Sequence, residues 1–316
     1  MNILFVSSGN SKTGISPIIK NQGESLINSV ANVTFFTIKG KGIIGYLKNV
    51  LPLKRLLRKN EYDVVHAHYS MSAFVATLAG AKPLMVSLMG SDVKSDKYFR
   101  LFIYLFSKFF WDKTIVKSED MKLSLGIKNV EVIPNGVDLN FFKSLNKTDC
   151  KSRLGWDITK KQILFAANPN RCEKNYPLAK KAIDGLENSN FELKVLNEVP
   201  NNQMVFYYNA SDVIILTSDR EGSPNVIKEA MACNRPIVAT DVGDIEWLFG
   251  KTKGCFISSG KINDLENKIC SALNFSDKYN EIEGRRRIKM LKLDSGSVVE
   301  KLVFMYEAIK NNNNFD

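Results

Sequence analysis

Short apolar runs and longer helical stretches alternate along the chain from its first residues. Runs rich in Val, Ile and Phe occur at Asn2–Ser7, Val33–Ile38, Asp63–His66, Leu84–Leu88, Thr114–Val116 and Val130–Ile133. Stretches with helical spacing lie between them, such as Ile15–Asn28 and Tyr46–Lys59. The pattern halts at Pro134–Asn135–Gly136–Val137–Asp138, a cluster rich in turn formers, and resumes after a polar stretch through Asp149. Further strands are expected at Gln162–Ala166, Glu192–Leu196, Val213–Leu216, Ile237–Ala239 and Cys255–Ile257. Strands alternating with helices pair in parallel, because each crossover helix returns the chain across a face of the sheet. The expectation is an α/β protein of two doubly wound, Rossmann-like domains facing a central cleft. They would span residues 1–143 and 144–316, with a hinge near 139–150 and a last helix, about Ser297–Ile309, packing on either domain. Ligands of such sheets bind beyond the carboxyl ends of the strands, so the cleft is the expected site.

Composition narrows the class. The chain has 316 residues, 44% apolar and 10% aromatic, enough to fill two cores and too apolar for a disordered chain. No apolar run reaches the roughly 18 residues of a spanning helix. The chain opens directly on a strand, without a basic leader, apolar core and cleavage site, and its five cysteines show no C-x-x-C spacing. Both features point to a cytoplasmic protein with reduced thiols. The two histidines, His66 and His68, leave little room for a zinc cage.

Charge adds an asymmetry. Lys plus Arg number 44 against 33 Asp plus Glu, a net of +11. Residues 1–144 hold 19 basic and 10 acidic side chains, the remainder 25 and 23. A basic first half argues for an anionic surface or ligand there, with a lysine-rich compositional bias as the plainer explanation. Eight aromatics crowd the fourteen residues from Tyr98 to Trp111, and Lys48, Lys54, Arg55, Arg58 and Lys59 lie on a second helix. That combination suits peripheral docking on an anionic membrane, such as the inner face of the cell membrane. A buried helix of the first domain would account for the aromatics equally well. No nucleic-acid-binding motif accompanies the charge, so nucleic acid is not expected as a partner.

Several familiar motifs fail. Gly40–Lys41–Gly42–Ile43–Ile44–Gly45 spells G-x-G-x-x-G, but the following acid, Asp63, opens the next strand instead of closing it, the wrong edge for a ribose. Those glycines are expected to form a loop before a basic helix. Gly9 and Gly14 have P-loop spacing, yet Ile15–Ser16 replaces the required Lys–Ser/Thr. There is no D-x-D triplet to hold a divalent metal and no G-x-S-x-G elbow.

The informative stretch runs from Ser218 to Ala232, directly after the strand Val213–Leu216. Pro224 suits the first position of a helix, whose buried face would be Val226, Ile227, Ala230 and Met231, with Lys228 pointing away. Glu221 then sits at the helix mouth and Glu229 about two turns along. Gly222 allows a tight turn, and the N–H groups of Ser223, Asn225 and Val226 offer an anion site. An elongated ligand would fit, with a sugar at Glu221, a diphosphate at the mouth and a ribose at Glu229. Taken singly, each carboxylate has a plainer reading, a helix-dipole complement for Glu221 and a border ion pair for Glu229.

Glu221 and Glu229, followed by Ala230–Met231–Ala232–Cys233–Asn234–Arg235–Pro236–Ile237–Val238–Ala239–Thr240–Asp241–Val242–Gly243, strongly resemble the retaining glycosyltransferases of family 4, which have the GT-B fold. Supporting segments are Asp63–His68, Gly90–Ser91–Asp92, Val132–Asp138 and Ala210–Val213. The resemblance implies that Glu221 contacts the donor sugar and Glu229 the ribose hydroxyls. It implies that a basic pair, Arg171 and Lys174, neutralises the diphosphate in the loop beginning at Asn168. Fixed cations there would stabilise the leaving group without a metal. Gly14 belongs to a loop, Gly9 to Gly14, that would close over the diphosphate and acceptor, while Glu198 and Val199 would contact the base. Three departures stand out. Asn168 takes the place of a frequent Arg, and Met89 the place of a histidine before Gly90–Ser91–Asp92. The connection from Leu196 to Asn209 is short, without the hairpin that typically frames the base, so that Asn197, Glu198 and Val199 would contact it through backbone groups. His68 or His66 would compensate for the missing histidine, and His68, Gly90 and Asp92 are the candidates on the acceptor or donor side, although a histidine at a strand end is more often structural. The expected activity is retaining, metal-independent sugar transfer from a UDP- or GDP-sugar to a glycan or lipid-linked acceptor in surface polysaccharide assembly, with no cofactor. Alternatives are a nucleotide-sugar epimerase or hydrolase of the same fold, and a non-catalytic nucleotide-sugar or membrane-binding protein.

Overall fold

A computed structural model describes residues 1–11, 14–29, 31–93, 97–127, 130–186 and 190–312. Residues 12 and 13 of the expected Gly9–Gly14 loop lie outside them. Eleven strands are present among the described residues, at the positions expected to within a residue or two. They are β1 (Asn2–Ser8), β2 (Asn32–Ile38), β3 (Val64–His68), β4 (Leu84–Ser87), β5 (Lys113–Val116) and β6 (Val130–Val132), then β7 (Lys161–Phe165), β8 (Phe191–Val195), β9 (Val213–Leu216), β10 (Ile237–Thr240) and β11 (Cys255–Ser258).

The strands form two all-parallel sheets, ordered β2-β1-β3-β4-β5-β6 and β11-β10-β9-β7-β8. Alternate residues of each strand point to opposite faces, and helices cover both, so the strands read as continuous apolar runs. In the first sheet, Ile3, Phe5, Val64 and Met85 face one layer, and Leu4, Val6, Val65 and Val86 the other. In the second, Leu164, Ile214 and Leu216 face one layer, and Ile163, Phe165 and Ile215 the other. Both sheets reverse their winding once, between β1 and β3 and between β7 and β9. Such switch points open a crevice at the carboxyl ends of the two strands.

The chain divides into one unit of residues 1–136 with 295–316, and a second of residues 137–294. The sequence had suggested a division at 143/144. Residues 137–143 belong with the second unit because Val137 and Phe142 are buried in its core and the Val137 N–H donates to the Leu293 carbonyl. The last helix, Ser295–Asn312, belongs with the first: Val298, Val299, Leu302, Met305, Tyr306 and Ile309 cover the Ile3/Phe5 face of its sheet. Tyr306 also lies 2.6 Å from His66 Nδ1, and Lys310 pairs with Asp63 at 2.8 Å.

The expected helix Tyr46–Lys59 is two helices, Gly42–Leu47 and Val50–Lys59. Asn49 interrupts it by donating its side-chain amide to the Gly45 and Lys39 carbonyls, which competes with the helical ladder. The Gly40–Gly45 run is accordingly a tight turn into a helix: a Cβ on Gly40 would meet the Gly45 Cα at 2.9 Å.

Candidate active site

In the second unit, the loops after β7 and β9 rise from the two strands that flank its switch point. They are stitched to each other. The Thr217 hydroxyl lies 3.0 Å from the carbonyls of both Lys174 and Asn175, and the Asp219 N–H donates to the Glu173 carbonyl at 3.0 Å. Asn175 holds a left-handed φ of 48°, caps the helix Tyr176–Asp184 through its side-chain oxygen, and donates its amide to Asp219 at 2.8 Å. From β10, Thr240 donates to the Ser218 carbonyl at 2.7 Å. Beneath these loops Asp212, just before β9, accepts from the Gln162 N–H and pairs with Lys147 and Lys151, which ties the start of β9 to β7.

This stitching delivers Lys174 to Glu221. Lys174 Nζ donates to Glu221 Oε1 at 2.5 Å, and the Ser218 hydroxyl to the same oxygen at 2.7 Å. Both members of the pair are mostly sheltered from solvent. Behind them, Gly243 holds φ +63°, and a Cβ there would stand 2.4 Å from the Gly222 carbonyl. Only glycine both tolerates that φ and lets the chain pass so close to the Glu221–Gly222 turn.

The helix after this turn runs Asn225–Ala232, with Pro224 at its N-cap position and not inside its first turn. Glu221 therefore precedes the helix, and the helical rise does not set its separation from Glu229. Ser223, nearly buried, and the backbone of Asn225 and Val226 form the mouth. Glu229 is half-buried further along and accepts the Tyr208 phenol at 2.7 Å. Burial raises its pKa, and the Tyr208 hydrogen bond opposes that rise.

One expected placement is corrected here. Lys228 does not point away: it is 0% exposed, its Nζ donates to Ser223 Oγ at 3.1 Å, and burial lowers its pKa to about 8. The helix is wrapped on more than one side, so a polar residue on the outer wheel position is enclosed. Arg171 lies in the same loop as Lys174, just before it. It is 56% exposed and forks onto Glu173 through Nε and Nη2. A carboxylate two residues away on the same loop is simply its nearest counter-charge. Asn168 accepts the Asn170 N–H at 2.9 Å, a local turn bond. Glu198, with φ +58°, and Val199, packed on the core, lie in the loop after β8.

The first unit presents the remaining candidates at its own sheet. Gly14 holds φ +77° and donates to the Ser11 carbonyl. Gly90 opens a short helix through Val93, in which buried Asp92 accepts the Ser70 and Met89 N–H groups and the Ser70 hydroxyl. Asp92 thus staples two helix starts, and burial raises its pKa to about 6. His68 ends β3 fully enclosed, with its ring 4.3 Å from that of His66, and burial lowers its pKa to about 3. It is neutral at physiological pH.

Comparison with known proteins matches both units. Residues 16–141 fit the sequence profile of Glycosyltransferase Family 4, and residues 162–274 that of Glycosyl transferases group 1. The chain belongs to the GT-B glycosyltransferases. Among relatives of the GT-B chain, TuaC of Bacillus subtilis, named as a teichuronic acid biosynthesis glycosyltransferase, is 28% identical over 69% of this chain and 63% of its own length. The UDP-Gal:alpha-D-GlcNAc-diphosphoundecaprenol alpha-1,3-galactosyltransferase of Escherichia coli is 23% identical over 85% of this chain and 78% of its own. In fold, the GT-B chain matches sucrose-phosphate synthase of Thermosynechococcus elongatus with a TM-score of 0.83, at 15% identity over 98% of this chain and 99% of that one. It also matches Anabaena HepE, solved with UDP-glucose, with a TM-score of 0.76 at 17% identity over 98% and 100%. Tyr208, Ser218 and Thr217 were not singled out from the sequence. A tyrosine and two hydroxyl residues beside strands carry no mark of their own until the loops are folded together.

Proposed function

We propose that this GT-B chain transfers a sugar, with retention and without a metal ion, from a UDP- or GDP-sugar to a glycan or lipid-linked acceptor in surface polysaccharide assembly. The observation that carries the reading is the Lys174–Glu221 pair, held at the β7/β9 switch point in front of the N-terminus of the helix Asn225–Ala232. Breaking the bond between the anomeric carbon and the phosphate oxygen leaves negative charge on the phosphate and positive charge on the sugar. Lys174 and the helix-mouth N–H groups meet the first; Glu221 meets the second. Glu229, oriented by Tyr208, receives the ribose hydroxyls, and Arg171 supplies a second, more exposed cation. The names of the relatives support the chemistry: HepE was solved with UDP-glucose, the Escherichia coli protein is named for a UDP-sugar donor and a diphosphoundecaprenol acceptor, and a further relative is CapM of capsular polysaccharide biosynthesis in Staphylococcus aureus.

Glu221→Gln tests the assignment. It is expected to retain nucleoside diphosphate binding and to lower turnover at least a hundredfold, about 3 kcal/mol of barrier. Turnover is followed as nucleoside diphosphate release from a panel of nucleotide sugars, with and without EDTA. Near-native transfer by the variant would end the assignment; loss of activity in EDTA would end its metal-free part. Equal binding of UDP and uridine by Lys174→Ala, against a UDP preference in the native protein, would confirm the phosphate role.

A further inference from the structure

We propose that one helical layer of the first unit docks on anionic lipid. The helix Lys97–Phe109 is apolar on two sides. Its inner side holds Ile103, fully buried, with Phe99 and Phe106 packed against Phe74. Leu101, Phe102, Leu105 and Phe109 fall on one stripe at helical spacing, and every one of them is exposed, Phe102 by 57% and Phe109 by 65%. A helix that only covered a sheet would carry polar residues there.

A second apolar edge lies in the same layer. The helices Gly42–Leu47 and Val50–Lys59 pack on Ser70–Leu78, the helix that carries Phe74, and Leu53, Ala73, Val75 and Ile103 share one core. Along this edge Ile43, Ile44 and Leu51 stand exposed, Ile44 by 73%. Exposed apolar residues gathered on one layer mark an interaction surface, where scattered ones would need no explanation.

The charge selects the occupant. Residues 39–59 carry seven cations and no carboxylate, and residues 97–110 carry three cations and no carboxylate. A second copy of this chain would bring like charge against like. Single-stranded nucleic acid would satisfy cations and stack on rings, yet leave Ile43, Ile44, Leu51 and Leu101 facing water. An interface of anionic headgroups over hydrocarbon satisfies both kinds of side chain, the rings and aliphatics entering the acyl boundary and the cations meeting phosphate. No helix among the described residues is long and apolar enough to cross a membrane, so the contact is superficial.

The full chain is to be sedimented with phosphatidylcholine vesicles, with and without phosphatidylglycerol, over a salt series. Binding is expected only with phosphatidylglycerol and is expected to fall as salt rises. Reversing Lys54, Arg55 and Arg58 to Glu should weaken it at least about tenfold, since each cation near an anionic surface contributes comparably. Phe102→Glu with Ile44→Glu should do so independently; all five positions are at the surface, and an unchanged melting temperature confirms that folding is intact. Failure to bind phosphatidylglycerol vesicles at low salt would overturn the proposal. So would binding that both variants leave unchanged, or tighter capture of an oligonucleotide than of vesicles. None of these readouts uses the transfer reaction, so the outcome stands apart from that of Glu221→Gln.

Discussion

Lys228 is an ammonium group enclosed one turn inside the helix Asn225–Ala232. Folding removes its water, and burial holds its pKa at about 8, below the usual lysine range. Below pH 8 both folded and unfolded chains carry the proton, so the full cost of burying the charge is felt there. Between pH 8 and the ordinary lysine value the unfolded chain binds the proton more readily, so stability from this group rises with pH. Lys228→Met is therefore expected to stabilise the protein below pH 8, by up to about 3 kcal/mol less the lost bond to Ser223. The gain should shrink as pH rises through the lysine range. Denaturant midpoints of both proteins across that range measure it; a gain that is constant with pH would show that folding leaves the lysine pKa unshifted. Its burial was not legible from the helical wheel, because the wheel reports which side meets the sheet and not which other loops close over the helix. Glu221 and Glu229 stood out in the sequence because the stretch around them resembles a known family.

At the scale of elements, the site depends on how two loops are joined more than on either alone. Thr217 at the end of β9 reaches the carbonyls of Lys174 and Asn175, and so sets where the Lys174 side chain starts. Thr217→Val keeps the shape and deletes the hydroxyl, leaving buried carbonyls without that donor, a cost of about 1–3 kcal/mol. Turnover is expected to fall about tenfold while the two sheets remain folded, because the pair with Glu221 loses its support. Steady-state kinetics beside a thermal melt would check it, and full activity with a lowered melting temperature would make the link purely structural. The alternation of strand and helix was readable because parallel strands covered on both faces must be apolar throughout. The break at Asn49 was not, since an asparagine that competes with a helix looks the same as one that tolerates it.

For the whole molecule, the two sheets and their helical layers followed the sequence pattern, while the sequence left the last helix open between the domains, because its apolar stripe fits any complementary face. The finished structure assigns Ser295–Asn312 to the first unit. Six buried side chains, Val298, Val299, Leu302, Met305, Tyr306 and Ile309, leave with it when the chain is cut after Asp294. At about 1.5 kcal/mol or more each, that loss rivals the 5–15 kcal/mol that holds a typical domain. The cut chain is expected to lose amide protection in β1 and β3 while β7 and β9 keep theirs, as hydrogen exchange would report. Equal protection of β1 before and after the cut would refute the ledger.

Order of synthesis gives this arrangement a further meaning. The ribosome makes the first sheet, then all of the second unit, and only afterwards the helix that covers Ile3, Phe5 and Val64. At roughly 5–20 residues per second, the part of that apolar face not covered by the helix Pro17–Ile27 waits on the order of ten seconds or more for its cover. The second unit, encoded later, has every residue of its core before the earlier one does. During that interval the nascent first half presents a greasy sheet to the cell, and a transient helper at the ribosome would find its binding surface there.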